Sequence, residues 1–225
     1  IDLMEHPKSD VRSSASKILL QLAVVGDMHV LGQVLERFAH SDENVRQLAV
    51  QVFSELADLD DALSLEILVE RLGHPSANMR HTVLKVLPLV ANARFVRGSV
   101  IASVGARLDD SDEDIRNVAA SALALLTNPG DDRVIDMLLL RLHHHMPGVV
   151  RTALMSLPRM VEAGNRRAMA AFSECTHHED EEVRRAATWA LHQVVGQRCG
   201  RGWWMGTQAR TPKRGGIECA AKSGH

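Results

Sequence analysis

The sequence predicts an all-α protein, a right-handed α-solenoid of stacked helical hairpins about five and a half units long. Three observations lead there. Aromatic residues make up only 3% and Tyr is absent, so the core must be built from Leu, Val and Ala, which suits thin layers of closely approaching helices. Pro and Gly are sparse until the last thirty residues, and no alternating polar and β-branched run is long enough for a sheet. One short motif recurs through most of the chain at a nearly constant interval.

That motif is a polar, mostly acidic loop followed by an apolar residue and an arginine. It reads Ser9-Asp10-Val11-Arg12, Glu43-Asn44-Val45-Arg46, Ala77-Asn78-Met79-Arg80, Glu113-Asp114-Ile115-Arg116, Gly148-Val149-Val150-Arg151 and Glu181-Glu182-Val183-Arg184. The arginines are 34, 34, 36, 35 and 33 residues apart. Each opens an amphipathic helix, as the spacing of Val11, Ala15, Ile18, Leu19 and Leu22 or of Val45, Ala49, Val52, Phe53 and Leu56 requires. Between these second helices lies a first series, Val30–Phe38, Ala62–Leu72, Phe95–Leu108, Val134–Leu142 and Arg166–Phe172. One hairpin cannot bury its own apolar stripe, so the units must stack. The expected units are a leading half-repeat over 1–25, then 26–59, 60–92, 93–128, 129–163 and 164–195.

Charge divides the chain at the same place as the pattern. Residues 1–195 carry 20 Lys and Arg against 27 Asp and Glu, while 196–225 carry six basic residues against Glu218 alone. The expected organisation is therefore a solenoid over 1–195 and a basic, Gly-rich, disordered tail over 196–225 bearing the pair Trp203-Trp204. The chain starts at Ile1 with the repeat already under way, which reads as a fragment of a longer array. No apolar run approaches the roughly 20 residues of a membrane span. Cys175, Cys199 and Cys219 are odd in number and lack metal-type spacing, which fits free thiols in a reducing compartment and a cytoplasmic or nuclear location.

A hairpin of this length, with Asp-x-x-Val-Arg-x-x-Ala-x-x-x-Leu opening its second helix, resembles the HEAT repeat family over residues 5–195. The resemblance implies a scaffold, since related solenoids hold other proteins. It also implies that the motif arginines and acids bond between adjacent turns, a structural ladder of Arg12, Arg46, Arg80, Arg116, Arg151 and Arg184 with Asp10 and Asp114. Departures from the pattern are Val149 in place of a loop acid, and Pro88 and Pro158 within second helices, where a proline removes a backbone bond and kinks or ends the helix. These two units are expected to bend the array.

Histidine recurs six residues before the arginine as His6, His40, His74, His145 and His178, with Asp110 in the fourth unit. Successive units lie about 8–10 Å apart, too far for such residues to share one ion. They are read as closing the first helix, where an imidazole meets free carbonyls. The densest cluster is His143-His144-His145 with His177-His178. Two enzymatic relatives of this repeat bear on function. Metal-dependent hydroxylases of the HEAT type need paired His-Glu dipeptides, and this chain has His178-Glu179 alone, while His81 has no following acid. Bilin lyases with HEAT-like repeats have no compact signature to test. Gly-rich phosphate loops, Gly-x-Ser-x-Gly, His-Glu-x-x-His and Cys-x-x-Cys are all absent. The sequence predicts no catalytic residue, metal or cofactor.

The partner-facing residues are expected one and five positions after each arginine, on the face opposite the apolar stripe. The pairs are Ser13/Lys17, Gln47/Gln51, His81/Lys85, Asn117/Ser121, Thr152/Ser156 and Arg185/Trp189. Lys17, Gln51, His81, Lys85, Ser121, Ser156, Arg185 and Trp189 are the candidates for binding another protein, with Trp189 and the cations as anchors. The acidic loops, such as Asp109-Asp110-Ser111-Asp112-Glu113-Asp114, argue against nucleic acid on the repeat body. Two alternatives to a scaffold stand at this stage, an enzyme of the lyase or hydroxylase kind and an architectural spacer. Oligomeric state is left open.

Overall fold

A computed structural model describes residues 1–58, 62–91 and 98–196. Among the described residues eleven α-helices follow one another in antiparallel hairpins: α1 (Ser9–Leu22), α2 (Met28–Glu36), α3 (Glu43–Leu56), α4 (Leu63–Arg71), α5 (Ala77–Val90), α6 (Gly98–Gly105), α7 (Glu113–Leu126), α8 (Asp132–Arg141), α9 (Pro147–Met160), α10 (Arg166–Cys175) and α11 (Glu181–Gly196). Short 3-10 turns extend the chain at Asp2–Glu5, Arg37–Ala39 and Ala106–Asp109. No strand occurs among the described residues. The predicted tail and its Trp pair lie outside them, as do Cys199 and Cys219.

The odd-numbered helices from α1 to α11 are the second helices of the hairpins and pack in sequence on one another. The even-numbered first helices form a parallel layer, α2 on α4, α4 on α6 and α6 on α8. Each helix therefore meets only its hairpin partner and the neighbouring units, which is the contact pattern of a solenoid. One continuous core runs between the layers, from Met4 through Phe38, Phe53, Leu68, Leu87, Leu123, Leu138 and Leu157 to Val194. Phe38 and Phe53 meet edge to face at 5.6 Å.

Among the described residues three glycines have positive φ, Gly26, Gly130 and Gly164, and they shape connections between one hairpin and the next. Each precedes a residue whose side chain caps the next helix, Asp27 for α2, Asp131 for α8 and Asn165 for α10. The turns also close their units. Gly26 donates its N–H to the Leu56 carbonyl at 2.8 Å, and Gly130 donates to the Met160 carbonyl at 2.8 Å. A carbonyl at the end of a second helix is thus satisfied by the start of the same unit.

Pro88 and Pro158 do not end their helices. α5 continues to Val90 and α9 to Met160, so both have the same 14 residues as α3 and α7. Both prolines occur so close to the C-terminus that the helix has little left to lose.

Candidate partner-binding face

The turn before each second helix decides which side chains reach the outer face. Five motif arginines fold back on their own turn and donate through Nη1 to the carbonyls six and five residues earlier. Arg12 bonds His6 and Pro7, Arg46 bonds His40 and Ser41, Arg80 bonds His74 and Pro75, Arg116 bonds Asp110 and Ser111, and Arg184 bonds His178 and Glu179, all at 2.6–3.1 Å. The expected pairing with the acid two residues before the arginine is replaced by these backbone bonds. Asp10 and Asp114 instead occupy first turns. The caps are Asp42, Ser76, Asp112 and Asp180, four residues before the arginine.

The histidines complete these turns. Nδ1 of His6, His40, His74 and His178 accepts the N–H two residues on, and the Asp110 carboxylate does the same for Asp112. In the fifth unit this acceptor is His144, not His145. The acceptors are then 34, 34, 36, 34 and 34 residues apart, and so are the starts of the second helices from Ser9 to Glu181. The true period places Val150, fully buried, in the arginine position of α9. Arg151 is not a ladder member: it bonds no turn carbonyl and reaches Glu113 at 2.5 Å.

One of the five arginines that bond their own turn also bonds a carboxylate of the next turn. Arg80 donates from Nε and Nη2 to Asp110 at 2.9 and 3.0 Å, and the Asp110 side chain is only 4% exposed. Burial by itself would raise the Asp110 carboxyl. The bonds from Arg80 and the Asp112 N–H, with the charges of Arg80 and Arg107, outweigh it and hold the group below its ordinary value. At the next junction Arg116 is buried beneath Gly148, where an added Cβ would lie 2.8 Å from its Nη2. Asn78 reaches back to the His40 carbonyl at 3.4 Å.

A second arginine series, at the ends of the first helices, escaped the sequence reading. Arg37 pairs with Asp2 and Glu5, Arg71 with Glu36 and Glu70, and Arg141 with Asp109 and the Gly105 carbonyl. Arg107 occupies the fourth position of this series, beside Asp110. Their intervals of 34, 36 and 34 residues repeat the turn period, and that was the signal available.

The corrected register changes the outer face. Lys17, Gln51, Lys85, Ser121 and Trp189 do share one row along the second helices, with His81 and Arg185 in the adjacent row. In α9 these rows hold Arg151 and Met155. Thr152 is buried and bonds Asn117 at 3.4 Å, and Ser156 is half-buried and bonds the Thr152 carbonyl. The two halves of the face differ in shape. Between α3 and α5 lies a shallow cleft of about 150 Å³ that includes Glu43, Gln47, His81 and Lys85. Burial, then the Lys85 charge, keeps His81 below the ordinary histidine value. Across α7, α9 and α11 lies a trough of about 560 Å³, with Trp189, Met155, Ser121 and the arginines 151, 159 and 185 in its lining.

The dense histidine cluster gathers no metal site. His144 and His145 stack at 4.3 Å, and His178 is committed to its turn. No group of three His, Cys, Asp or Glu converges as metal ligands would among the described residues. Cys175 is a free, buried thiol, raised by its burial. No helix among the described residues is long and apolar enough to cross a membrane.

Comparison with solved structures gives an engineered protein at 22% identity, covering 87% of this chain and 96% of that one with a TM-score of 0.44. A designed armadillo repeat protein is similar at 16% identity, with 86% and 97% covered and a TM-score of 0.40. No curated protein gives a significant sequence match. Among protein families, HEAT repeats match over residues 28–124 and 65–158, which together span more than half of the chain. With six turns in register, each closed by a His or Asp side-chain acceptor, and hairpins stacked only on their neighbours, the chain belongs to the HEAT-repeat family.

Proposed function

We propose that this protein is an interaction scaffold that holds an extended or helical segment of a partner protein along its second-helix face, anchored in the α7–α9–α11 trough. The observation that carries this reading is the trough itself, in which Trp189 and Met155 stay 36% and 41% exposed beside three arginines. Exposed large apolar groups flanked by cations are the residue types that dominate binding energy at protein interfaces. The rest of the face, Lys17, Gln51, His81 and Lys85, is polar and supplies complementarity rather than anchorage. The reading assigns no catalytic residue and no cofactor, no nucleic acid to the repeat body, and a cytoplasmic or nuclear setting.

Selection of random peptides displayed on phage against the whole chain tests the reading. Enrichment of a sequence pattern that is lost on a Trp189→Ala, Met155→Ala variant of unchanged helicity supports it. Failure to enrich any pattern, or equal enrichment on the variant, overturns it.

A further inference from the structure

Resting on that reading, we infer that the occupant of the trough is an acidic peptide segment, one that sets a bulky apolar side chain beside a carboxylate. The apolar requirement comes from Met155, Met160, Ala120, Ala124, Ala186 and Trp189, which line the trough among its polar groups. The carboxylate requirement comes from its cations. Arg159 is exposed at the last turn of α9 and makes no ion pair among the described residues. Arg151 and Arg185 hold only solvent-exposed pairs, with Glu113 and with Glu181 and Glu182. Such pairs contribute little and exchange readily for an incoming carboxylate.

The placement of the acids sharpens the argument. Glu113 and Glu182 line the trough and, with Glu181, belong to the first turns of α7 and α11, so the acids gather at one end of it. Arg159, in the last turn of α9, makes no ion pair among the described residues and is the trough cation left for an incoming carboxylate. A guanidinium presents a planar fork that takes a carboxylate by two parallel bonds. Elsewhere the solenoid is acidic, with 27 Asp and Glu against 20 Lys and Arg over residues 1–195, and within the trough Glu113 and Glu182 offset Arg151 and Arg185, so the Arg159 end is the local basic site on an acidic body. The chain's own segment 196–225 carries six basic residues against one acid and has the same sign as these arginines. Charge therefore argues against that segment as occupant and for a separate acidic partner.

The test uses fluorescently labelled peptides of equal length, alternating Leu with Asp, with Lys or with Ser, titrated against the full chain and followed by anisotropy. The Asp-Leu peptide is expected to bind more tightly than the Ser-Leu peptide and to weaken about tenfold or more on Arg159→Glu. A Lys8→Glu control changes net charge equally but away from the trough, and is expected to shift affinity by less than about twofold at 0.15 M salt. An Asp-Leu peptide without charge partner would retain its affinity in Arg159→Glu, and that result overturns the inference. Tighter binding of the Lys-Leu peptide also overturns it, while leaving the scaffold reading intact. Loss of all binding together with failure of the phage selection removes the scaffold reading as well.

Discussion

The turn before α7 and the turn before α9 occupy equivalent places in successive units, yet they use their arginines differently. At the first, Arg116 bonds two turn carbonyls and is 5% exposed. At the second, Val150 fills that place and Arg151 points to the outer face. Successive residues of a helix differ by about 100° in direction, so an offset of one residue takes a cation from the turn to the binding face. The difference teaches that an arginine in a repeat motif is structural only if the turn behind it presents carbonyls at the right distance from the helix start.

The largest expected effect lies just before that comparison, where the turn leading into α7 is tied to the preceding unit. Asp110→Ala leaves Arg80 facing a buried gap and should cost about 3 kcal/mol by urea denaturation. The pH dependence has a definite sign. A carboxyl whose pKa is depressed on folding adds stability above its unfolded pKa and loses it as pH falls through the folded one. The stability gap between wild type and Asp110→Asn should therefore narrow in acid, below about pH 4. A gap that widens on acidification would contradict the assigned pair.

Gly148→Ala should cost about 1–2 kcal/mol, because the added methyl group meets the buried Arg116 guanidinium. A neutral result would mean that Arg116 can move aside. The sharpest contrast pairs two arginines that the motif alone makes equivalent. Arg46→Ala removes two charged bonds to turn carbonyls and should cost about 1–2 kcal/mol, read as a shift in thermal midpoint. Arg151→Ala should cost less than about 0.5 kcal/mol, because its partner is an exposed carboxylate. Equal losses would restore Arg151 to the ladder.

Most of the fold was legible because each unit repeats its own instructions. The apolar spacing recurs in every hairpin, and a polar cap or turn glycine supports it in most, so hairpin boundaries came within a few residues of those observed. For α6 the expected start at Phe95 lies outside the described residues, within which the helix runs from Gly98. The candidate face was legible in α1, α3, α5, α7 and α11, where the arginine marks the register. It was displaced by one residue in α9. There the string Gly148-Val149-Val150-Arg151 imitates the motif, while the helix begins at Pro147 after a His144 turn.

By itself the sequence determined the class of fold and, outside α9, its period, because these depend on neighbours a few residues away along the chain. Tertiary structure alone decided that Arg80 also bonds Asp110 and that Met155 and Arg159 join Trp189 across three helices. Those outcomes depend on side-chain direction and on contacts thirty or more residues apart. A repeat motif leaves both undetermined, because its letters record spacing and not the turn from which the spacing is counted.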